Sequence, residues 1–147
     1  TKLDPDLESA AERVQREIEQ KMALLDYQIL YVEDDPAAID VVSLMLRGIY
    51  SLDFARNADE ALEKVKAKKY DAILMDINLR RGMDGIQLTQ IIREIPEYKE
   101  TPIIALTAYA MEKEKQEFLS KGLSHYLSKP FRKNDLLLLL QNIFTKK

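Results

Sequence analysis

Residues 29–35 read Ile29-Leu30-Tyr31-Val32-Glu33-Asp34-Asp35, four apolar residues closed by three acids. A run this short and this apolar is expected of a strand covered on both faces, as in a parallel sheet. The same pattern recurs twice. Ala72-Ile73-Leu74-Met75 runs into Asp76, and Ile103-Ile104-Ala105-Leu106 runs into Thr107-Ala108. Two less apolar segments, Leu52-Asp53-Phe54 and Ser124-His125-Tyr126-Leu127, complete a set of five strands, and Lys129-Pro130 follows the last. Amphipathic stretches between them predict helices over about 37–47, 58–67, 86–93, 111–121 and 133–144, with Asn57 and Asp84 as N-caps and Gly122 as a C-cap. Such alternation gives an α/β fold, an open parallel sheet with helices on both sides. Ligands in these sheets sit beyond the carboxyl ends of the strands, so the chemistry is sought there.

The strand ends carry a coherent set of groups. Glu33 and Asp34 close the first strand, Asp76 the third, Thr107 the fourth, and Lys129 follows the fifth. Carboxylates gathered at one sheet edge either raise a pKa or recruit a cation. An all-oxygen set selects a small hard cation, which points to Mg²⁺. Asp76 is then an oriented oxygen nucleophile toward phosphorus, with Lys129 and Thr107 placed to meet phosphoryl oxygens. Each signal alone has a plain structural reading: acids after a strand cap helices, a Thr there caps or turns, and a Lys before Pro is a solvated loop residue. Asp76 resists that reading, because a carboxylate next to four apolar residues is costly to bury unpaired.

The joint pattern resembles a known family. Tyr31-Val32-Glu33-Asp34-Asp35-Pro36, Leu74-Met75-Asp76-Ile77-Asn78, Gly82-Met83-Asp84-Gly85, Ala105-Leu106-Thr107-Ala108 and Lys129-Pro130-Phe131 look like the receiver domain of two-component response regulators, over about residues 27–144. The resemblance implies a doubly wound, flavodoxin-like sheet of five parallel strands in the order 2-1-3-4-5. It implies that Asp76 accepts a phosphoryl group from a phosphohistidine on a histidine kinase or histidine phosphotransfer domain. Asp34, Asp76 and the Asn78 backbone carbonyl would bind Mg²⁺ directly, with Glu33 acting through water. Thr107 and Lys129 would contact the phosphoryl group, the Lys129-Pro130 bond would be cis, and Tyr126 would be a switch aromatic paired with Thr107. Such a domain catalyses its own phosphorylation and dephosphorylation without being a turnover enzyme, and it also occurs inside hybrid histidine kinases.

The loop after Asp76 departs from the family pattern. It lacks the usual Pro, is one residue longer, and carries Arg80-Arg81, read either as a docking aid for an acidic partner or as solvated charge. Asn78 and Tyr109 are the positions that tune phosphoryl lifetime in the family. Two other readings of the chain are weaker. A haloacid dehalogenase-like phosphohydrolase needs Asp-x-Asp on the first strand and a cap domain. A pseudo-receiver scaffold usually lacks part of the site.

Residues 1–26 form a separate unit ahead of the domain at 27–147. Asp4-Pro5 reads as a helix start, and Leu7, Ala10, Ala11, Val14, Ile18, Met22 and Leu25 fall in one narrow stripe. Glu12/Arg16 and Glu17/Lys21 lie four apart on the other faces. The stripe suits a helix pair, hence a homodimer, or packing on the chain's own domain. In the last helix Leu136, Leu137, Leu140, Ile143 and Phe144 share a face, which leaves Leu138 pointing nearly opposite as a second candidate contact. The last two helices of receivers often form the partner or dimer face.

Composition narrows the function further. Among 147 residues there is no Cys and one His, His125, so thiolate chemistry is excluded and a multi-His metal site is hard to build. Twenty-two Lys and Arg against 25 Asp and Glu give a net charge of -3, with no basic patch for nucleic acid. The longest apolar run is 136–140, far short of the ~20 residues of a membrane span. A polar, acidic N-terminus without a signal peptide gives the expectation of a soluble, cytoplasmic protein, stand-alone or cut from a longer kinase.

Overall fold

The computed structural model describes residues 9–79, 82–108 and 111–145, with the backbone alone for 21–25. After α1 (Ala10–Leu25) the elements are β1 (Gln28–Val32), α2 (Pro36–Leu46), β2 (Ser51–Ala55), α3 (Ala58–Ala67), β3 (Ala72–Asp76) and α4 (Gly85–Arg93). A 3₁₀ turn (Pro96–Tyr98) leads to β4 (Ile103–Thr107), α5 (Glu112–Ser120), β5 (His125–Ser128) and α6 (Lys133–Thr145). The five strands form one parallel sheet in the order β2-β1-β3-β4-β5. The order and parallel sense match the expectation, and the strand ends move by no more than one residue.

The near-continuous apolar strands are explained by two cores. Leu30, Val32, Ile73, Met75, Ile103 and Ala105 point to one face, where α3, α4 and α5 cover them. Ile29, Tyr31, Ala72, Leu74, Ile104 and Leu106 point to the other, under α2 and α6. Alternate side chains enter alternate cores, so every position of β3 and β4 is buried. The edge strands β2 and β5 are half-buried, which is why their sequences are the less apolar ones.

Local chemistry sets the helix ends. The Asn57 side chain accepts from the Glu60 N–H at 2.9 Å, and Asp84 forms a reciprocal capping box with Gln87. Gly122 has φ +105°, and the Leu123 N–H reaches back to the Phe118 carbonyl, so α5 ends in a Schellman motif. Asp4-Pro5 lies outside the described residues. The described start of α1 is held by Ser9, whose Oγ accepts from the Glu12 N–H at 3.1 Å. Residues 10–20 of α1 are exposed throughout, so this part of the helix does not pack on the sheet. In α6, Leu136 and Leu140 are buried and Leu138 is exposed, as its position requires.

Gly85 fixes how closely α4 approaches the end of β3. Its N–H donates to the Ile77 carbonyl at 3.3 Å. A Cβ at Gly85 would collide with the Asp76 carbonyl oxygen and press on the Ile77 Cα. Because both obstacles are backbone, no rotamer change relieves them. Gly85→Ala is expected to cost about 1–3 kcal/mol. The expected result in urea unfolding is a lower midpoint with an unchanged slope; a midpoint equal to wild type would show that α4 can retreat freely.

Candidate functional site

The carboxyl ends of β1, β3, β4 and β5 meet at one rim of the sheet, and the side chains expected there do converge. Glu33, Asp34 and Asp76 each present a carboxylate oxygen within 4.8 Å of the others. Glu33 and Asp76 are each only 3% exposed. The geometry follows from register: Val32 lies beside Met75, so the residues that follow on the two adjacent strands emerge side by side. The Lys129 Nζ sits 3.2 Å from Asp76 Oδ1 and 3.9 Å from Glu33 Oε1. Thr107 is buried at the end of β4, and its carbonyl accepts the Lys129 N–H at 2.8 Å, which ties the lysine's backbone to that strand. The Lys129-Pro130 bond is cis, as the resemblance implies.

The three consecutive acids divide their work. Glu33 and Asp34 enter the cluster, whereas Asp35 turns away and accepts the Ala37 N–H at 3.1 Å as the N-cap of α2, with Pro36 in the first turn. The acidic run is thus divided between a carboxylate cluster at the rim and a helix cap. Asn78 is exposed, and its N–H donates to Asp76 Oδ1 at 3.1 Å, orienting that carboxylate from the following loop. Arg80, Arg81 and Tyr109 lie outside the described residues.

The electrostatics are unbalanced. Among the described residues three carboxylates face one ammonium, and Glu33 Oε2 is buried with no hydrogen-bond partner. Burial, reinforced by the adjacent Asp76 and opposed by Lys129, pushes the Glu33 carboxyl up to about 8. An ion of charge two with oxygen ligands relieves all of these features together. The donor set contains neither sulfur nor imidazole and thus fits a hard cation such as Mg²⁺.

Two surfaces adjoin the rim. A groove of about 530 Å³ opens beside Glu33 and Lys129, its apolar wall formed by Ala38, Val41, Met45, Pro130 and Phe131. Val41 is 51% exposed and Leu44 61%. Sequence reasoning passed over this wall. The available signal was that α2 carries more apolar residues than one face can bury, with Ile39, Val42 and Leu46 already filling the core. On the other side, Tyr126 is half-buried, with the Lys115 Nζ 4.5 Å from its ring centre. That contact was not legible, because Lys115 comes from a different element. His125 is half-buried at the start of the edge strand β5, its Nδ1 2.8 Å from Ser124 Oγ.

Among the described residues no helix is long and apolar enough to cross a membrane. Residues 29–141 match the model of the response regulator receiver domain. The histidine-protein kinase BarA of Escherichia coli is 34% identical over 119 residues, covering 80% of this chain and 12% of that kinase. The chain thus spans about an eighth of the length of this relative. The chemotaxis protein CheY4 of Vibrio cholerae superposes with a TM-score of 0.75 at 32% identity, over 80% of this chain and 98% of that one. The receiver domain of the sensor histidine kinase PA1611 of Pseudomonas aeruginosa, solved with a magnesium ion in its active-site cleft, gives 0.74 at 36% identity, over 82% and 98%. With a matched span that runs from β1 into α6 and takes in every element bearing the acidic rim, the chain belongs to the response regulator receiver domains of two-component signal transduction.

Proposed function

We propose that Asp76 is the phosphoryl acceptor of this receiver domain and that its reaction depends on Mg²⁺ held by Glu33, Asp34, Asp76 and the Asn78 carbonyl. The observation that carries the reading is the buried Asp76 carboxylate, 3.2 Å from Lys129 and within 4.8 Å of two further carboxylates. Phosphoryl transfer requires little beyond such positioning and charge neutralisation. An Asp76 carboxylate oxygen attacks phosphorus, the P–N bond to the donor imidazole breaks, and the leaving imidazole takes a proton from solvent. The product is an acyl phosphate on Asp76 and a neutral histidine on the donor. Lys129 and the Thr107 hydroxyl meet the transferred phosphoryl oxygens, and the Asn78 N–H holds the carboxylate in line. Mg²⁺, when bound, supplies positive charge to the same oxygens. Water then hydrolyses the acyl phosphate, so the domain resets without a separate substrate.

The donor is a histidine kinase or a histidine phosphotransfer domain. Its protein surface meets the exposed wall of the groove at Val41, Met45 and Phe131, the apolar surface nearest the rim. Phosphorylation is read out through Thr107 and Tyr126, which lie on the adjacent strands β4 and β5. The domain itself comprises residues 27–147, with 1–26 as an appended segment, and it works in the cytoplasm, alone or inside a hybrid kinase.

Incubation with acetyl phosphate and Mg²⁺, followed by intact-mass measurement, tests the acceptor. The wild-type chain gains one phosphoryl group; Asp76→Asn gains none, and EDTA prevents the gain. A gain by Asp76→Asn equal to that of wild type would remove Asp76 from the role.

The raised Glu33 carboxyl gives a second test. Between about 4.5 and about 8 the ion-free folded chain holds a proton on Glu33 that the unfolded chain releases. Stability from this group is therefore complete below the lower value and is lost as the pH rises through the upper one. Glu33→Gln cannot ionise. Without divalent ions at pH 8 it is expected to melt on the order of 5 °C above wild type, with the gap narrowing by pH 5. Saturating Mg²⁺ should raise the melting point of wild type more than that of the variant. Identical melting curves at both pH values would contradict the buried, strained carboxylate.

A further inference from the structure

We infer that Lys69 is a modification site, whose amine takes the acyl group of an acyl phosphate seated in the groove between α3 and the 3₁₀ turn. The groove measures about 440 Å³. Val65, Ile95 and Tyr98 give it apolar surface, and Lys66, Lys68 and Lys69 give it positive charge, with Glu97 the acid among its lining residues. That combination suits a ligand in which a small apolar group is joined to a phosphate, which is the make-up of an acyl phosphate. Lys69 precedes β3 whereas Asp76 ends it, so the groove and the acidic rim lie at opposite ends of one strand.

Neutral partners hold the Lys69 amine at the groove. Its Nζ donates to Thr101 Oγ1 at 2.5 Å and lies 4.1 Å from the centre of the Tyr98 ring. Both partners are fixed. Thr101 is buried, and the buried Tyr98 donates its hydroxyl to the Lys68 carbonyl at 2.8 Å and accepts the Tyr70 N–H at 3.0 Å. In its free-base form the amine has two N–H bonds, one for the hydroxyl oxygen and one for the ring face, and its lone pair is left over for an electrophile. Among the described residues no carboxylate lies within ion-pair distance of this amine, whereas Lys68 is 3.0 Å from Asp53 and Lys129 is 3.2 Å from Asp76. Burial pulls the Lys69 ammonium below the ordinary lysine range; Asp71 and Glu97 oppose the fall and Arg93 adds to it. A larger share of free amine makes the better nucleophile.

One class of reagent thus reaches two sites through different atoms. At Asp76 a carboxylate oxygen attacks phosphorus; at Lys69 the Nζ lone pair attacks the acyl carbon. The carbon–oxygen bond to the phosphate breaks, and its electron pair leaves with orthophosphate. The nitrogen releases a proton to solvent, and an amide remains on Lys69. Nothing is oxidised or reduced, and no further reactant is needed. The amide carries no charge, so the cation over the Tyr98 ring is lost.

The test needs no variant. The wild-type chain is incubated with acetyl phosphate at mildly alkaline pH, digested after a series of times, and mapped site by site by fragmentation mass spectrometry. Lys66 lines the same groove without the ring and hydroxyl contacts printed for Lys69, and it serves as the internal reference. Lys69 is expected to gain an acetyl group several times faster than Lys66, and added inorganic phosphate is expected to slow the reaction at Lys69. Unfolding the chain in guanidinium chloride brings the two rates together. Equal rates in the folded chain overturn the inference. So does a preference for Lys69 that survives unfolding, because it would then come from neighbours in sequence and not from the groove. A preference that phosphate leaves untouched overturns the groove as the place where the acyl phosphate binds. Phosphorylation is read at Asp76 in a separate peptide, so a failure at either residue leaves the other standing.

Discussion

The structure turns on like charges that the sheet does not allow to separate. Hydrogen bonding in register fixes β1 beside β3, and the side chains that close these strands have no path away from each other. Glu33 and Asp76 are buried, Asp34 is beside them, and among the described residues a single ammonium, that of Lys129, reaches the cluster. A fold usually avoids such a concentration of charge, because a buried carboxylate without full compensation is destabilising. Here the cost is confined to the rim. Two continuous apolar cores below it hold the strands in place whichever charge state the rim adopts. The cluster is therefore poised for a ligand that brings positive charge, and then for one that brings a phosphoryl group.

The sheet was legible because its strands are buried on both faces and read as unbroken apolar runs. β1, β3 and β4 are found at the positions their runs indicated, and the acids that end them locate the rim. The edge strands were found through their flanking turns more than their composition. What could not be read was the assignment among neighbours in the chain. Glu33, Asp34 and Asp35 are equivalent as letters, and only the turn into α2 sends Asp35 to cap the helix while the other two join the cluster with Asp76. The tie between Lys129 and Thr107 and the approach of Lys115 to Tyr126 join residues from different elements, so no local pattern announces them. The fate of the α1 stripe was equally open, because an amphipathic helix reads the same whether its partner is its own sheet or another molecule.

The rim is also tied to the strand at the edge of the sheet. Thr107 and Lys129 are joined through the backbone at the ends of β4 and β5, and Tyr126 lies two residues before the end of β5. A hydrogen-bonded pair of strands thereby joins Thr107 to a half-buried aromatic ring. The aromatic ring contacts α5 through Lys115. The groove on the other side of the rim is apolar and lies against α2.

The central claim is that the acids of β1 and β3 share one divalent ion beside Asp76. A crystal structure of the chain grown with Mn²⁺, with data collected at the manganese absorption edge, tests it most directly. The account predicts one strong anomalous peak at the rim, coordinated by Asp34 and Asp76, with Glu33 within reach of a bound water. A rim without a peak at saturating Mn²⁺, or a peak bound elsewhere while the three carboxylates turn apart, would contradict it.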